Sequence, residues 1–143
     1  MKYFLAIIVS LAISATALAQ DVYEIRFTAG VTQHRGALAL FDDGTGLIRI
    51  RYYNNGTQMV EQKIQVQNTA NGLRLACYSP VYPGTTRRHP SYIADNFYLT
   101  RDEYGKTRLV NIDDRGNTSN VVIRKLEGVA LTNRFLSDFN WKL

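Results

Sequence analysis

Cysteine and histidine are scarce in this sequence, which has one cysteine, Cys77, and two histidines, His34 and His89, among its 143 residues. A lone cysteine excludes an internal disulfide, so the stability of the fold must come from packing and backbone pairing. Cys77 follows Leu73 and Leu75 at every second position, a rhythm that predicts a buried, apolar environment. Neither histidine has a second histidine or a cysteine at the spacing of metal ligands, and we expect no metal and no cofactor.

Catalytic motifs are missing as well. The chain has no G-x-S-x-G, no H-E-x-x-H, no glycine-rich phosphate loop and no C-x-x-C. One hypothesis survives, because Cys77, His89 and Asp95 or Asn96 follow the chain order of a nucleophile, its base and an orienting group. A reactive thiol needs exposure and a lowered pKa, whereas Cys77 is predicted to be buried. We therefore expect a protein that is not an enzyme, with a Cys77/His89 enzyme as the alternative.

Residues 1–19 are typical of a cleavable signal peptide, and residues 20–143 are predicted to form the single mature domain. The features are, in order, the basic Lys2, an apolar run over residues 4–13, and Ala17 and Ala19 at an A-x-A cleavage site. The run is shorter than the ~20 residues that span a bilayer. We predict export to the periplasm or the medium, with no transmembrane segment left after cleavage.

The charge balance is moderately basic, with 17 lysines and arginines against 12 acidic residues and a formal net charge of +5 at pH 7. Nucleic-acid-binding proteins usually cluster their basic residues more densely than this chain does. We therefore predict no nucleic-acid partner. The predicted partner is a small molecule, a glycan or another exported protein.

The dominant hydrophobic period is two, which indicates strands rather than helices. In residues 22–28, for example, Tyr23, Ile25 and Phe27 share one face and polar side chains share the other. The same pattern predicts about eight strands, at residues 22–28, 37–41, 47–53, 60–66, 73–78, 96–100, 107–112 and 120–126. Most of the connections are short and rich in glycine, asparagine and aspartate, as in the hairpins of antiparallel strands.

The predicted fold is therefore all-β, an up-and-down meander that closes into a barrel or folds into a two-sheet sandwich, and we favour the barrel. Leu131, Phe135 and Phe139 recur every four residues and predict one or two turns of helix that pack across the barrel or its mouth. A final strand that ends at Trp141 is the alternative.

In general shape such a chain resembles the lipocalin-like, or calycin-like, barrels, which combine a signal peptide, about eight meandering strands and a short C-terminal helix. The resemblance covers topology. The Gly-x-Trp that lipocalins carry near the first strand is absent, because the single tryptophan is Trp141. No binding residue is carried over from that family.

Residues 79–91 contain all three prolines of the chain and are predicted to form a long loop, because proline cannot donate to a strand ladder. Long ordered loops often carry function. The candidate ligand-binding residues are Arg87, Arg88 and His89, which would hold an anionic group, and Tyr82 and Tyr92, which would stack on a sugar or an apolar partner. The sequence thus predicts an exported, non-catalytic binding module that uses the barrel interior or this loop.

Overall fold

The computed structural model describes residues 20–70 and 72–142, which form eight strands and one helix. The strands are β1 (Gln20–Ala29), β2 (Thr32–Phe41), β3 (Thr45–Tyr53), β4 (Thr57–Thr69), β5 (Gly72–Val81), β6 (Asn96–Arg101), β7 (Thr107–Ile112) and β8 (Thr118–Lys125), and the helix is α1 (Val129–Ser137). Most strands are longer than predicted, because backbone pairing continues through polar ends where the hydrophobic alternation is lost. The predicted signal peptide lies outside the described residues.

Each strand pairs antiparallel with the next, and β8 pairs with β1, so the sheet is a closed barrel. The predicted eight-stranded meander is therefore confirmed. The closing pairs, from Tyr23↔Lys125 to Arg26↔Val122, decide for the barrel over the two-sheet sandwich.

The middle of the barrel is filled by apolar side chains from every strand. The buried set is Ile25, Phe27, Leu38, Ile48, Ile50, Tyr52, Val60, Ile64, Leu75, Cys77, Phe97, Leu109 and Val121. Gly36 shows how tightly this set packs, because a Cβ added there would lie 2.8 Å from Ile25 Cγ1. Cys77 is 7% exposed, which confirms its predicted core position.

Helix α1 packs against the outer wall of the barrel and not across its mouth, which decides between the two positions expected for this segment. The contact is a second apolar cluster formed by Val22, Ala37, Ala39, Leu126, Phe135, Leu136, Phe139 and Trp141. The small outward-facing Ala37 and Ala39 allow the helix to approach β2 closely. The alternative strand is not formed, because the described residues after 128 are helix followed by turn.

Pro80 lies within β5, so the prediction that it belongs to the loop of residues 79–91 is wrong. The pairing of β4 with β5 shifts register between Glu61 and Lys63, and Ser79 has a left-handed φ of 52°. This irregularity is a bulge, where a proline need not donate to the ladder. The loop consequently spans residues 82–95.

One end of the barrel, which we call the mouth, carries the β1–β2, β3–β4 and β7–β8 turns together with the loop of residues 82–95. The opposite end carries the remaining turns. In the part of the chain that the structure describes, no helix is long and apolar enough to cross a membrane.

Candidate functional site

The loop of residues 82–95 inserts rings into the mouth of the barrel. The ring centroid of His89 lies 4.9 Å from that of Tyr82 and 6.0 Å from that of Tyr92. His89 is 3% exposed, and its Nε2 lies 3.3 Å from the Tyr52 hydroxyl of β3. Three of the five predicted ligand-binding residues, Tyr82, His89 and Tyr92, are thus brought together, and their rings pack against one another in the mouth.

Arg87 and Arg88, the other two predicted residues, stay exposed on the outside of the loop. The guanidinium carbon of Arg87 lies 4.2 Å from the centroid of the Tyr82 ring, a cation–π contact. Because His89 is buried beneath the loop while the two arginines face solvent, the three do not form one anion site. Binding by the loop remains a prediction.

Asp95 fastens this loop to two sides of the barrel. Its Oδ2 accepts hydrogen bonds from the Tyr92 hydroxyl (2.7 Å) and from Gln62 Nε2 of β4 (2.8 Å). Its Oδ1 accepts one from Asn111 Nδ2 of β7, at 3.2 Å. Burial raises the pKa of Asp95 in spite of these donors, and burial also raises the pKa of Tyr92, which keeps the phenol protonated as a donor.

The geometry gives the cysteine-nucleophile hypothesis no support. Burial, together with the nearby charge of Asp95, raises the pKa of the Cys77 thiol well above its usual value, the reverse of what a nucleophile requires. The carboxylate of Asp95 accepts from Tyr92, Gln62 and Asn111. The Asn96 side-chain oxygen accepts from Arg74. Neither candidate orienting group is therefore engaged with His89 in these contacts.

Beside the loop, the mouth holds an open cavity of about 920 Å³, lined by residues of β1, β2, β3, β4 and β8. From inside the barrel, Phe27, His34 and Tyr52 contribute a row of stacked rings. The centroids of Phe27 and His34 are 4.7 Å apart, and those of His34 and Tyr52 are 5.4 Å apart. These rings give the cavity an aromatic wall.

Three arginines, Arg26, Arg35 and Arg51, also line the cavity, and its described lining contains no carboxylate. Glu24 stands behind them on the outer wall of β1. It accepts from Arg35 Nη2 at 2.9 Å and pairs with Arg26 Nη2 at 3.1 Å. Burial raises the pKa of Glu24, but the hydrogen bonds from Arg35 and the charge of Arg26 outweigh it and hold that pKa below its usual value. Glu24 therefore stays ionised and orients Arg26 and Arg35.

Arg51 is held from the other side, where its Nη2 donates to the backbone carbonyl of Asp138 and its guanidinium lies over the ring of Phe139. Its Nε is buried and has no hydrogen-bond partner among the described residues. A buried guanidinium donor that is left unsatisfied carries a free-energy penalty.

His34 contributes a neutral acceptor to the same cavity. Its Nδ1 lies 3.0 Å from the Thr32 carbonyl oxygen, and because a carbonyl only accepts, this nitrogen carries the proton. Burial lowers the pKa of His34, although the Thr32 hydrogen bond and the charge of Asp95 oppose it. The ring is therefore neutral near pH 7, with Nε2 as the acceptor nitrogen.

Sequence reasoning missed every residue of this cavity. The alternation places Arg26 and Arg51 on polar strand faces, which is also where ordinary solvated arginines lie. The register of β1, β2 and β3 brings them together across neighbouring strands. Because register is set by pairing across the sheet, the local sequence pattern carried no signal for this cavity.

Comparisons with protein-family models, with curated proteins and with solved structures find no match to this chain. The lipocalin-like resemblance therefore stays a prediction about general shape.

Proposed function

We propose that this protein is an exported, non-catalytic binding module whose barrel mouth binds an anionic ligand with an apolar body. The observation that carries the proposal is the cavity of about 920 Å³ lined by three arginines and, among the described residues, by no carboxylate. Export is inferred from residues 1–19. The buried Cys77, whose pKa is raised, supports a non-catalytic role.

The arginines suit a carboxylate, sulfonate or phosphate group, because a guanidinium presents planar, paired donors to such oxygens. Glu24 and the Asp138 carbonyl already hold Arg35 and Arg51. The two arginine side chains would therefore lose little conformational entropy when a ligand binds. The cavity volume lies in the range of about 300–1,000 Å³ that is usual for ligand sites.

The apolar part of the ligand would lie against the aromatic wall of Phe27 and Tyr52, on the barrel side of the arginines. Apolar area buried there contributes roughly 25 cal/mol per Å². This term is independent of salt, whereas attraction to the exposed part of the arginine cluster weakens as salt is added. A ligand with both parts should therefore show partial salt dependence.

Calorimetric titration of the protein with 1-naphthalenesulfonate, and with neutral 1-naphthalenemethanol as the matched probe, tests the proposal. We expect the sulfonate to bind more tightly than the alcohol, and R26Q to weaken sulfonate binding about tenfold, as the loss of one charge-assisted contact implies. R101Q is the control, because Arg101 is exposed at the end of β6, opposite the mouth. Equal binding of the two probes, or equal effects of R26Q and R101Q, would refute it.

A further inference from the structure

Strands β1 and β8 separate at the mouth. Their pairing ends at Arg26↔Val122, although β1 continues to Ala29 and β8 begins at Thr118. Both keep their other neighbours, since residues 27–29 pair with β2 and residues 118–121 pair with β7. The barrel wall therefore contains an open seam between residues 27–29 and residues 118–121.

Backbone groups of both strands face this seam. Leu126 N donates to the Val22 carbonyl at 2.8 Å, which directs the Val22 carbonyl toward β8. Because the direction alternates along a strand, the N–H and C=O of Thr28 face the same side. Continuing the register places Thr28 opposite Asn120, and the two are not paired in the described sheet.

The seam and the arginine cavity are one site. Thr28 and Asn120 both line the cavity of about 920 Å³, together with Arg26 and Phe27. On the outward side of β1 the neighbours are Arg26 and Thr28, and on the inward side the neighbour is Phe27. A segment that lies in the seam would therefore meet positive charge outside and an aromatic surface inside.

We propose that the seam binds an extended peptide segment of another protein as an added strand, with acidic side chains facing outward and apolar side chains facing inward. This inference rests on the proposed anion-binding function and names the class of its ligand. Strand edges accept peptides through backbone hydrogen bonds, and alternate side chains supply the specificity. A small anion would neutralise the arginines, but it would leave the facing backbone groups of Thr28 and Asn120 without strand partners.

The test is fluorescence anisotropy with a blocked seven-residue peptide that alternates valine and glutamate and carries a fluorescein label. Three comparison peptides accompany it: one methylated on its central backbone nitrogens, one with the same composition but its glutamates grouped together, and one with lysine in place of glutamate. We expect the alternating peptide to bind saturably. Backbone methylation or the R26Q change should each raise its dissociation constant about tenfold, and the lysine peptide should not bind. R101Q should bind like the unaltered protein.

Binding that survives backbone methylation, or that is equally strong for the grouped peptide, would show charge attraction alone and overturn strand addition. If 1-naphthalenesulfonate binds and the alternating peptide does not, the peptide inference fails while the proposed function stands. If neither binds, both fail.

Discussion

Arg49 fastens the C-terminal segment to the barrel, and replacing it with methionine is a strong test of that packing. Its side chain is 10% exposed, with Nε 2.6 Å from Glu61 Oε2. Nη1 donates to the carbonyls of Phe139 (3.1 Å) and Asn140 (2.6 Å), and the guanidinium lies 5.3 Å from the Trp141 ring centroid. Methionine preserves much of the apolar stem and removes the charge and all of these donors.

The R49M change leaves the Glu61 carboxylate, 16% exposed, without its cation. Removing one partner of a buried ion pair costs about 3–5 kcal/mol. Because both side chains keep some contact with solvent, we expect the lower end, about 3 kcal/mol. With a urea dependence of about 1.5 kcal/mol per molar, the midpoint of unfolding should fall by about 2 M.

Trp141 is the single tryptophan of the chain and is 6% exposed, so its fluorescence reports directly on this region during equilibrium urea unfolding. The double variant R49M/E61Q should recover part of the loss, because it removes the unpaired carboxylate. A midpoint for R49M within about 0.3 M of the original would refute the stabilising role of Arg49. Strictly additive effects in the double variant would refute its coupling to Glu61.

Three further predictions concern buried groups. Burial raises the folded-state pKa of Asp95 above 3.8, so its contribution to stability should be lost as the pH rises through that folded pKa. Thermal melting of wild type and D95N across pH should show this loss in wild type alone, and parallel curves would contradict it. G36A should lower the free energy of unfolding, measured with a chemical denaturant, by about 1–3 kcal/mol because the added methyl group meets Ile25. Adding I25V should recover part of that loss, and a G36A protein as stable as wild type would disprove the tight packing. Cys77 should react with a thiol reagent only on unfolding, and rapid labelling of the native protein would restore the nucleophile hypothesis.

Much of the fold follows from local pattern. A period of two in hydrophobicity marks each strand, and short turns such as Asn54-Asn55-Gly56 make neighbours antiparallel, so the number and order of the strands were predictable. Pro80 was misplaced, because a bulge depends on how β4 and β5 pair and not on the proline itself. Helix α1 was predicted from its apolar face, and the structure decides that it covers the barrel wall and not the mouth.

The candidate site was much less predictable. Tyr82, His89 and Tyr92 do meet in space, because they share one loop, and the sequence named them. The cavity residues come from separate strands, and their grouping depends on strand register and on the point where β1 and β8 part.

The sequence by itself determined the all-β class, the antiparallel order and the burial of Cys77, because the hydrophobic period of two and the short turns record them locally. Only the tertiary structure decided that the sheet closes and that its closure stops at Arg26 and Val122. That contact joins β1 and β8, the first and the last strand of the sheet in chain order. Its free energy depends on the stagger and twist of the whole sheet, which no local pattern records.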